Sequence, residues 1–314
     1  MQTEYIKNVA IVGAGAMGAA YASMFAVAGA FSPFFLADGE WYRRLMEKPL
    51  RVNGKPYAIP VMRPEDVKGP VDLVLVALKH HHLADALPAI QAVTGPETTV
   101  LSVMNGLESE EILGAVCGME KIVYAIAVGI DAVREGDSFT YARPGRIIFG
   151  EGPRQGDSSR VARLREALTR AAIPHEVPAD MMRVMWWKFM INVGINQASA
   201  VLGAPYGVFH HSADAQDLML QLMREVISLA EKVAVDLGEN DIEEWLRVLA
   251  TLAPEGKTSM LQDVEAKRKT EVDIFAGRVV AMGEQNSIAT PVNRAILHIV
   301  RVMEQQNLVK KTGG

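Results

Sequence analysis

The stretch WWKFMINVGINQASAV, residues 186–201, is mostly apolar yet carries Lys188, Asn192 and Asn196 at successive steps of four. At about 100° per residue each step drifts by only about 40°, so on an α-helix the three side chains share one narrow stripe. Trp186, Phe189, Met190, Ile191, Val193 and Ile195 cover the other faces with apolar groups, as on a helix packed inside a domain. An ammonium and two amides buried there cost on the order of several kcal/mol unless each finds a partner. Backbone groups and buried water are one such partner, and a bound polar molecule is the other. Toward a molecule, an ammonium can polarise a carbonyl and give up a proton, while neutral amides orient oxygen-bearing groups without adding competing charge.

A second set of residues lies near the N-terminus. VAIVGAGAMGAAYASMFAVAG places Gly13, Gly15 and Gly18, with Ala14, Ala16 and Met17 between them, after an apolar strand and at the opening of an apolar helix. In that context the first glycine permits a tight turn, the second lets a pyrophosphate approach the backbone, and the third allows helix and strand to pack closely. The free N–H groups of the helix N-terminus would face the phosphates. Asp38, twenty residues beyond Gly18, falls at the end of the second strand, where a carboxylate can accept hydrogen bonds from ribose hydroxyls and would repel a 2′-phosphate. This favours NAD over NADP, although Arg43 and Arg44 are near enough in sequence to answer a phosphate charge. The alternative for Asp38 is a solvated turn aspartate beside Gly39. Lys79 and Asn105-Gly106 follow the next two strands, at the carboxyl edge where ligands bind in open α/β sheets; as isolated residues either would read as a turn. His80, His81 and His82 project in different directions and have no accompanying ligand spacing, so no metal site is expected, and solvated or cleft-edge histidines are the simpler reading.

These residues need elements to hold them. Apolar runs at 9–12, 34–37, 71–78, 99–103 and 122–128 recur at βαβ spacing, predicting a parallel sheet with crossover helices. FTYA and RIIFGE, around 139–151, read as an antiparallel addition at the sheet edge, and 160–177 as a helix and a strand after the loop at 151–159. From about Asp180 the pattern is helical: 180–201, 213–237, 240–250, 259–283 and 291–306, with Thr290-Pro291 as cap and first turn of the last. A boundary near Pro178 gives an α/β domain at 1–178 and an all-helical one at 179–314. The net charge of −5 argues against nucleic acid or an anionic membrane as the main partner and favours a small molecule. A single cysteine, Cys117, excludes an internal disulfide and suits a reducing cytoplasm, and no uncharged apolar run is long enough to span a membrane. Lys267-Arg268-Lys269 reads as a solvated helix face or a patch steering an anion, and His210-His211 as a loop pair.

GAGAMG, LKHHHLADAL, MNGLES, KFMINVGINQASAV and TSMLQDVEAKRKTEVDIFAG, in this order, resemble the ketopantoate reductase (2-dehydropantoate 2-reductase) family. The resemblance implies a Rossmann-type doubly wound sheet that binds a nicotinamide cofactor, followed by a helical domain like the C-terminal domain of 6-phosphogluconate dehydrogenase, with the substrate between them. By motif, Lys188 matches the family's catalytic lysine, Asn192 and Asn196 its substrate-holding asparagines, and Ser259 a substrate-contacting serine. Asn105 matches an asparagine near nicotinamide and substrate, Lys79 a lysine lining the cofactor site, and Glu271 a glutamate supporting the cofactor ribose and the active site. The implied reaction reduces a 2-oxo acid to a 2-hydroxy acid, ketopantoate to (R)-pantoate, with Lys188 as proton donor. Asp38 departs from the arginine often found there, which opens NAD-dependent dehydrogenation of another branched or aromatic 2-hydroxy acid. A β-hydroxyacid dehydrogenase of the 6-phosphogluconate type is a nearer rival in fold, disfavoured by SMLQDVEAKRKTEVD. A non-catalytic dinucleotide sensor would have no use for Lys188, Asn192, Asn196 and Glu271 together. The apolar helical faces leave a homodimer open.

Overall fold

The computed structural model describes residues 5–47, 50–136, 138–152 and 158–312. The chain divides into two compact units, Met1–Met181 and Met182–Gly314. The first is α/β. Its strands, in chain order, are β1 (Asn8–Val12), β2 (Ser32–Leu36), β3 (Leu50–Val52), β4 (Lys55–Tyr57), β5 (Val61–Met62), β6 (Leu73–Val76), β7 (Thr99–Ser102), β8 (Ile122–Ile130), β9 (Val133–Glu135), β10 (Ser138–Thr140), β11 (Pro144–Gly150) and β12 (His175–Glu176). Eight of them form one sheet in the order β12-β11-β8-β7-β6-β1-β2-β5. All its neighbours run parallel except β11, which is antiparallel to β8. The strand order reverses at β1, with β2 on one side and β6 on the other, so a crevice opens at the carboxyl end of β1. Every residue of β6 and β7 is buried, which explains their continuous apolar or small character instead of alternation. Val9, Ile11, Phe25, Leu75, Leu101 and Phe149 belong to the core beneath the sheet.

The 139–151 region differs from the expected edge hairpin. Phe139 pairs with Val52 of β3 and Arg134 of β9, in a separate four-stranded sheet ordered β4-β3-β10-β9. Only Pro144–Gly150 joins the large sheet, where it is covered by β12 and is not the edge. Pro144 and Gly145 open β11, where Gly145 (φ +60°) sits so close to β8 that a Cβ would lie 2.4 Å from Val128 O.

The second unit is helical. Its elements are Met181–Ile191, a π-helical turn Asn192–Asn196, Gln197–Leu202, Tyr206–His211, Ala213–Lys232, Glu239–Leu249, Ser259–Glu265, a second π turn Asp273–Gly277, Arg278–Asn286 and Pro291–Thr312. Helix Ala213–Lys232 packs against both the first π turn and the last two helices. Gly194 makes the first of these contacts feasible, since a Cβ there would lie 2.5 Å from Met223 Cγ. The two long helices expected at 180–201 and 259–283 are therefore interrupted. The second also breaks between Glu265 and Asp273, so Lys267 (φ +52°), Arg268 and Lys269 lie in a connection and not on a helix face. Arg268 there pairs with Asp263 at 2.9 Å, and Lys269 reaches Asp273 at 3.8 Å. His210 and His211 sit on helix Tyr206–His211, not in a loop, and a His210 ring nitrogen lies 2.9 Å from Leu249 O. Pro291 does open the last helix, but the cap comes from elsewhere: the Thr290 hydroxyl is buried with no hydrogen-bond partner among the described residues, and Glu225 accepts the Val292 and Asn293 N–H groups.

Candidate active site

The glycine turn follows β1 and opens helix Ala16–Ala28. Gly13 takes φ +106°, and a Cβ there would lie 2.6 Å from Ala77 O at the end of β6. At Gly18 it would lie 1.8 Å from Gly13 O. Gly15 faces open space, with nothing within 4 Å of the position a Cβ would take. Two glycines thus close the turn against protein and the middle one leaves its outer side clear, directly at a helix N-terminus whose first turn carries no acidic residue. That arrangement fits a dinucleotide pyrophosphate.

Three further side chains lie on the same edge of the sheet. Asp38 is exposed after β2, and its Oδ1 accepts the Gly39 N–H at 2.6 Å. Of the two nearby arginines, Arg44 is paired with Glu40 and rests over the Trp41 ring. Lys79 is half-buried three residues after β6 and precedes a single 3₁₀ turn, His80–His82. His82 meets the Trp41 ring edge to face, with centroids 5.3 Å apart, which ties the turn after β6 to the helix after β2. Asn105 is half-buried beyond β7, and Gly106 takes φ +97°. Behind this loop Ser102 Oγ accepts the Met104 N–H and lies 2.7 Å from Ser109 Oγ, which donates to the buried Glu110. Among the described residues no group of three or more His, Cys, Asp or Glu side chains is placed to hold a metal ion.

In the second unit Lys188 and Asn192 are half-buried and Asn196 is almost wholly buried. The asparagines open and close the first π turn, and Asn196 Nδ2 donates to Asn192 Oδ1 at 3.4 Å. The wider turn, where an α-helix was expected, keeps side chains four apart closely aligned; π turns of this kind recur at functional sites. Ser259 is exposed at the first position of its helix. The preceding Thr258 caps that helix through Leu261 N and donates to Ser199 Oγ at 3.2 Å, holding it against Gln197–Leu202. Glu271 is buried, and its carbonyl accepts the N–H groups of Ile274 and Phe275 at the start of the second π turn, which packs on the first.

Residues 9–154 match the family model described as ketopantoate reductase PanE/ApbA, and residues 180–304 match its C-terminal model. The chain belongs to the ketopantoate reductase family. It is an oxidoreductase of that family and, with it, nicotinamide-dependent. A 2-dehydropantoate 2-reductase of Archaeoglobus fulgidus is 29% identical over 95% of this chain and 98% of its own. The solved 2-dehydropantoate 2-reductase of Geobacter metallireducens is 27% identical, with a TM-score of 0.82 over 94% of this chain and 99% of that one. A D-mandelate dehydrogenase solved with NADH and anilino(oxo)acetate has the same fold, at TM-score 0.85 and 22% identity over 96% of this chain and 99% of that one.

The polar groups behind the residues singled out from the sequence are not themselves read from it. Ser109 and Gln197 fall within the MNGLES and KFMINVGINQASAV stretches, yet the contacts of the Ser102-Ser109-Glu110 chain and of the buried Gln197 and Asn293 and half-buried Glu225 are not announced by spacing. Gln197 adjoins Asn196, yet two of its partners are 79 and 96 residues away, and no local pattern announces them.

Proposed function

We propose that this chain reduces 2-dehydropantoate to (R)-pantoate. Residues 1–178 hold the dinucleotide and 179–314 supply the acid and the substrate-binding amides. The observation that carries this reading is the Lys188, Asn192 and Asn196 stripe: a half-buried ammonium followed by two amides on a π turn. Hydride is what the chain's own residues lack, and a bound reduced nicotinamide supplies it. Negative charge develops on the keto oxygen as the carbonyl is reduced, and Lys188 stabilises that charge and delivers the proton. Asn192, Asn196 and Ser259 orient the carboxylate and hydroxyl of the substrate. Asn105 lies near nicotinamide and substrate and Lys79 lines the cofactor site, with Gly13–Gly18 at the pyrophosphate, Asp38 at the adenosine ribose and Glu271 supporting the cofactor ribose and the active site. Asp38 makes NAD the favoured dinucleotide over NADP.

A second reading, dehydrogenation of another branched or aromatic 2-hydroxy acid with NAD, is favoured by Asp38 alone. One experiment separates the two. Oxidation of NADH and of NADPH is followed in parallel with ketopantoate and with a panel of other 2-oxo acids. Efficient turnover of ketopantoate is expected. Turnover of another 2-oxo acid alone keeps the chemistry and replaces the substrate, and tight dinucleotide binding without turnover of any acid overturns both readings.

A further inference from the structure

Gln197 follows directly on the π turn that carries the two asparagines, and it is fully buried. Its amide is engaged at both ends. Nε2 donates to Val193 O at 2.8 Å and to Asn293 Oδ1 at 3.0 Å, and Oε1 accepts the Ala276 N–H at 2.9 Å. Ala276 belongs to the other π turn. There Phe275 N donates to Glu271 O and Gly277 N to Val272 O, so the widened turn passes over the N–H between them. A buried N–H left without an acceptor is costly, and Gln197 is what satisfies it. One side chain therefore grips a carbonyl in the first π turn and the surplus N–H of the second.

The direction of this amide is set from outside. Glu225, an acceptor, takes the N–H groups of Val292 and Asn293 at 2.8 and 3.0 Å and Asn293 Nδ2 at 2.8 Å. That turns Asn293 Oδ1 toward Gln197, which in turn points Nε2 at Asn293 and leaves Oε1 for Ala276. Flipping either amide would set donor against donor or acceptor against acceptor.

We propose that Gln197, oriented by Asn293 and Glu225, is a positioning residue for the reaction, locking the Asn192–Asn196 turn to the segment that begins at Glu271. This rests on the Lys188 stripe being the substrate site. Gln197 acts through the backbone of both π turns, so its loss displaces substrate-binding groups without removing one.

The test uses the full-length protein and the Gln197→Glu variant, with ketopantoate kinetics across pH and dinucleotide affinity measured separately. A protonated glutamic acid can still donate to Asn293 or Val193, whereas the carboxylate sets acceptor against acceptor. Burial among acceptors holds that carboxyl protonated above the usual range, so the ratio of variant to wild-type kcat/KM is expected to fall by about 10- to 100-fold between about pH 5 and pH 10. A ratio independent of pH, or wild-type kinetics throughout, overturns the proposal. If that variant does not fold, Asn293→Ala, which removes one of the two Nε2 acceptors, is expected to lower kcat/KM, and wild-type kcat/KM there counts equally against it. Lys188→Ala and Asn192→Ala are measured alongside. Wild-type turnover in those two sinks the substrate-site reading itself, whereas their loss beside unaffected Gln197 and Asn293 variants sinks only this inference.

Discussion

Lys188 supplies the ammonium of a stripe whose other two members are neutral, so the chemistry assigned to it has no substitute on that face. Lys188→Ala is expected to lower kcat by about 100- to 10,000-fold, the range of a lost general acid, while dinucleotide affinity, to which Lys188 is not assigned, stays as it was. Steady-state kinetics with a fluorescence titration of the dinucleotide checks both, and turnover within a few-fold of wild type would remove Lys188 as the acid. Asp38 offers an equally direct test. One of its oxygens already accepts the Gly39 N–H, which holds the carboxylate at the end of β2, and Glu40 competes for Arg44. Replacing Asp38 by arginine exchanges a group that repels a 2′-phosphate for one that binds it, and a charge-assisted hydrogen bond of about 1.5–3 kcal/mol corresponds to about 10- to 100-fold. The NADPH to NADH ratio of kcat/KM should rise by that order. A ratio that stays put would mean that Asp38 does not read the ribose.

The glycine turn separates packing from binding. Gly18→Ala places a Cβ on Gly13 O, a backbone atom that can move only with β1 and its helix, so both stability and dinucleotide binding are expected to fall. Gly15→Ala meets nothing, and φ −77° suits any residue, so the melting temperature should hold while dinucleotide affinity drops by about tenfold. Wild-type affinity in Gly15→Ala would move the phosphates away from this turn. The contrast also indicates why so much was legible in the sequence. Strands such as LVLV in β6 are buried on both faces and leave a continuous apolar run, and the glycines after β1 mark a turn where backbone must come close to backbone. The Lys188 stripe was legible because a period of four survives a change from α to π. The π turns themselves were not, since widening a helix by one residue leaves no mark in composition. Three-residue strands such as β3, β4 and β9 are too short to show a period, and Phe139 finds Val52 only through tertiary pairing.

The stability of the molecule against alkali follows from acids it buries neutral. Burial pushes up the Tyr21 phenol, the Cys117 thiol and the Tyr124 phenol of the first unit, and the Tyr206 phenol of the second. Each keeps its proton in the folded chain to a higher pH than in the unfolded one, where thiols ionise near roughly 8.5 and phenols near roughly 10. Above those values the folded state binds more protons, so the stabilisation is complete below them and is lost as pH climbs toward the folded values. Tyr21 makes this testable, because its hydroxyl is fully buried and has no hydrogen-bond partner among the described residues. Tyr21→Phe removes an unpaired polar group worth about 1–3 kcal/mol together with the largest of these shifts. Its melting temperature at neutral pH should equal or exceed that of the wild type, and the fall between about pH 7 and pH 11 should be shallower. Thermal melts of both proteins at the two pH values decide the matter. A variant that melts lower at neutral pH and keeps the full alkaline loss would show that the hydroxyl is partnered in solution and that the pH dependence arises elsewhere.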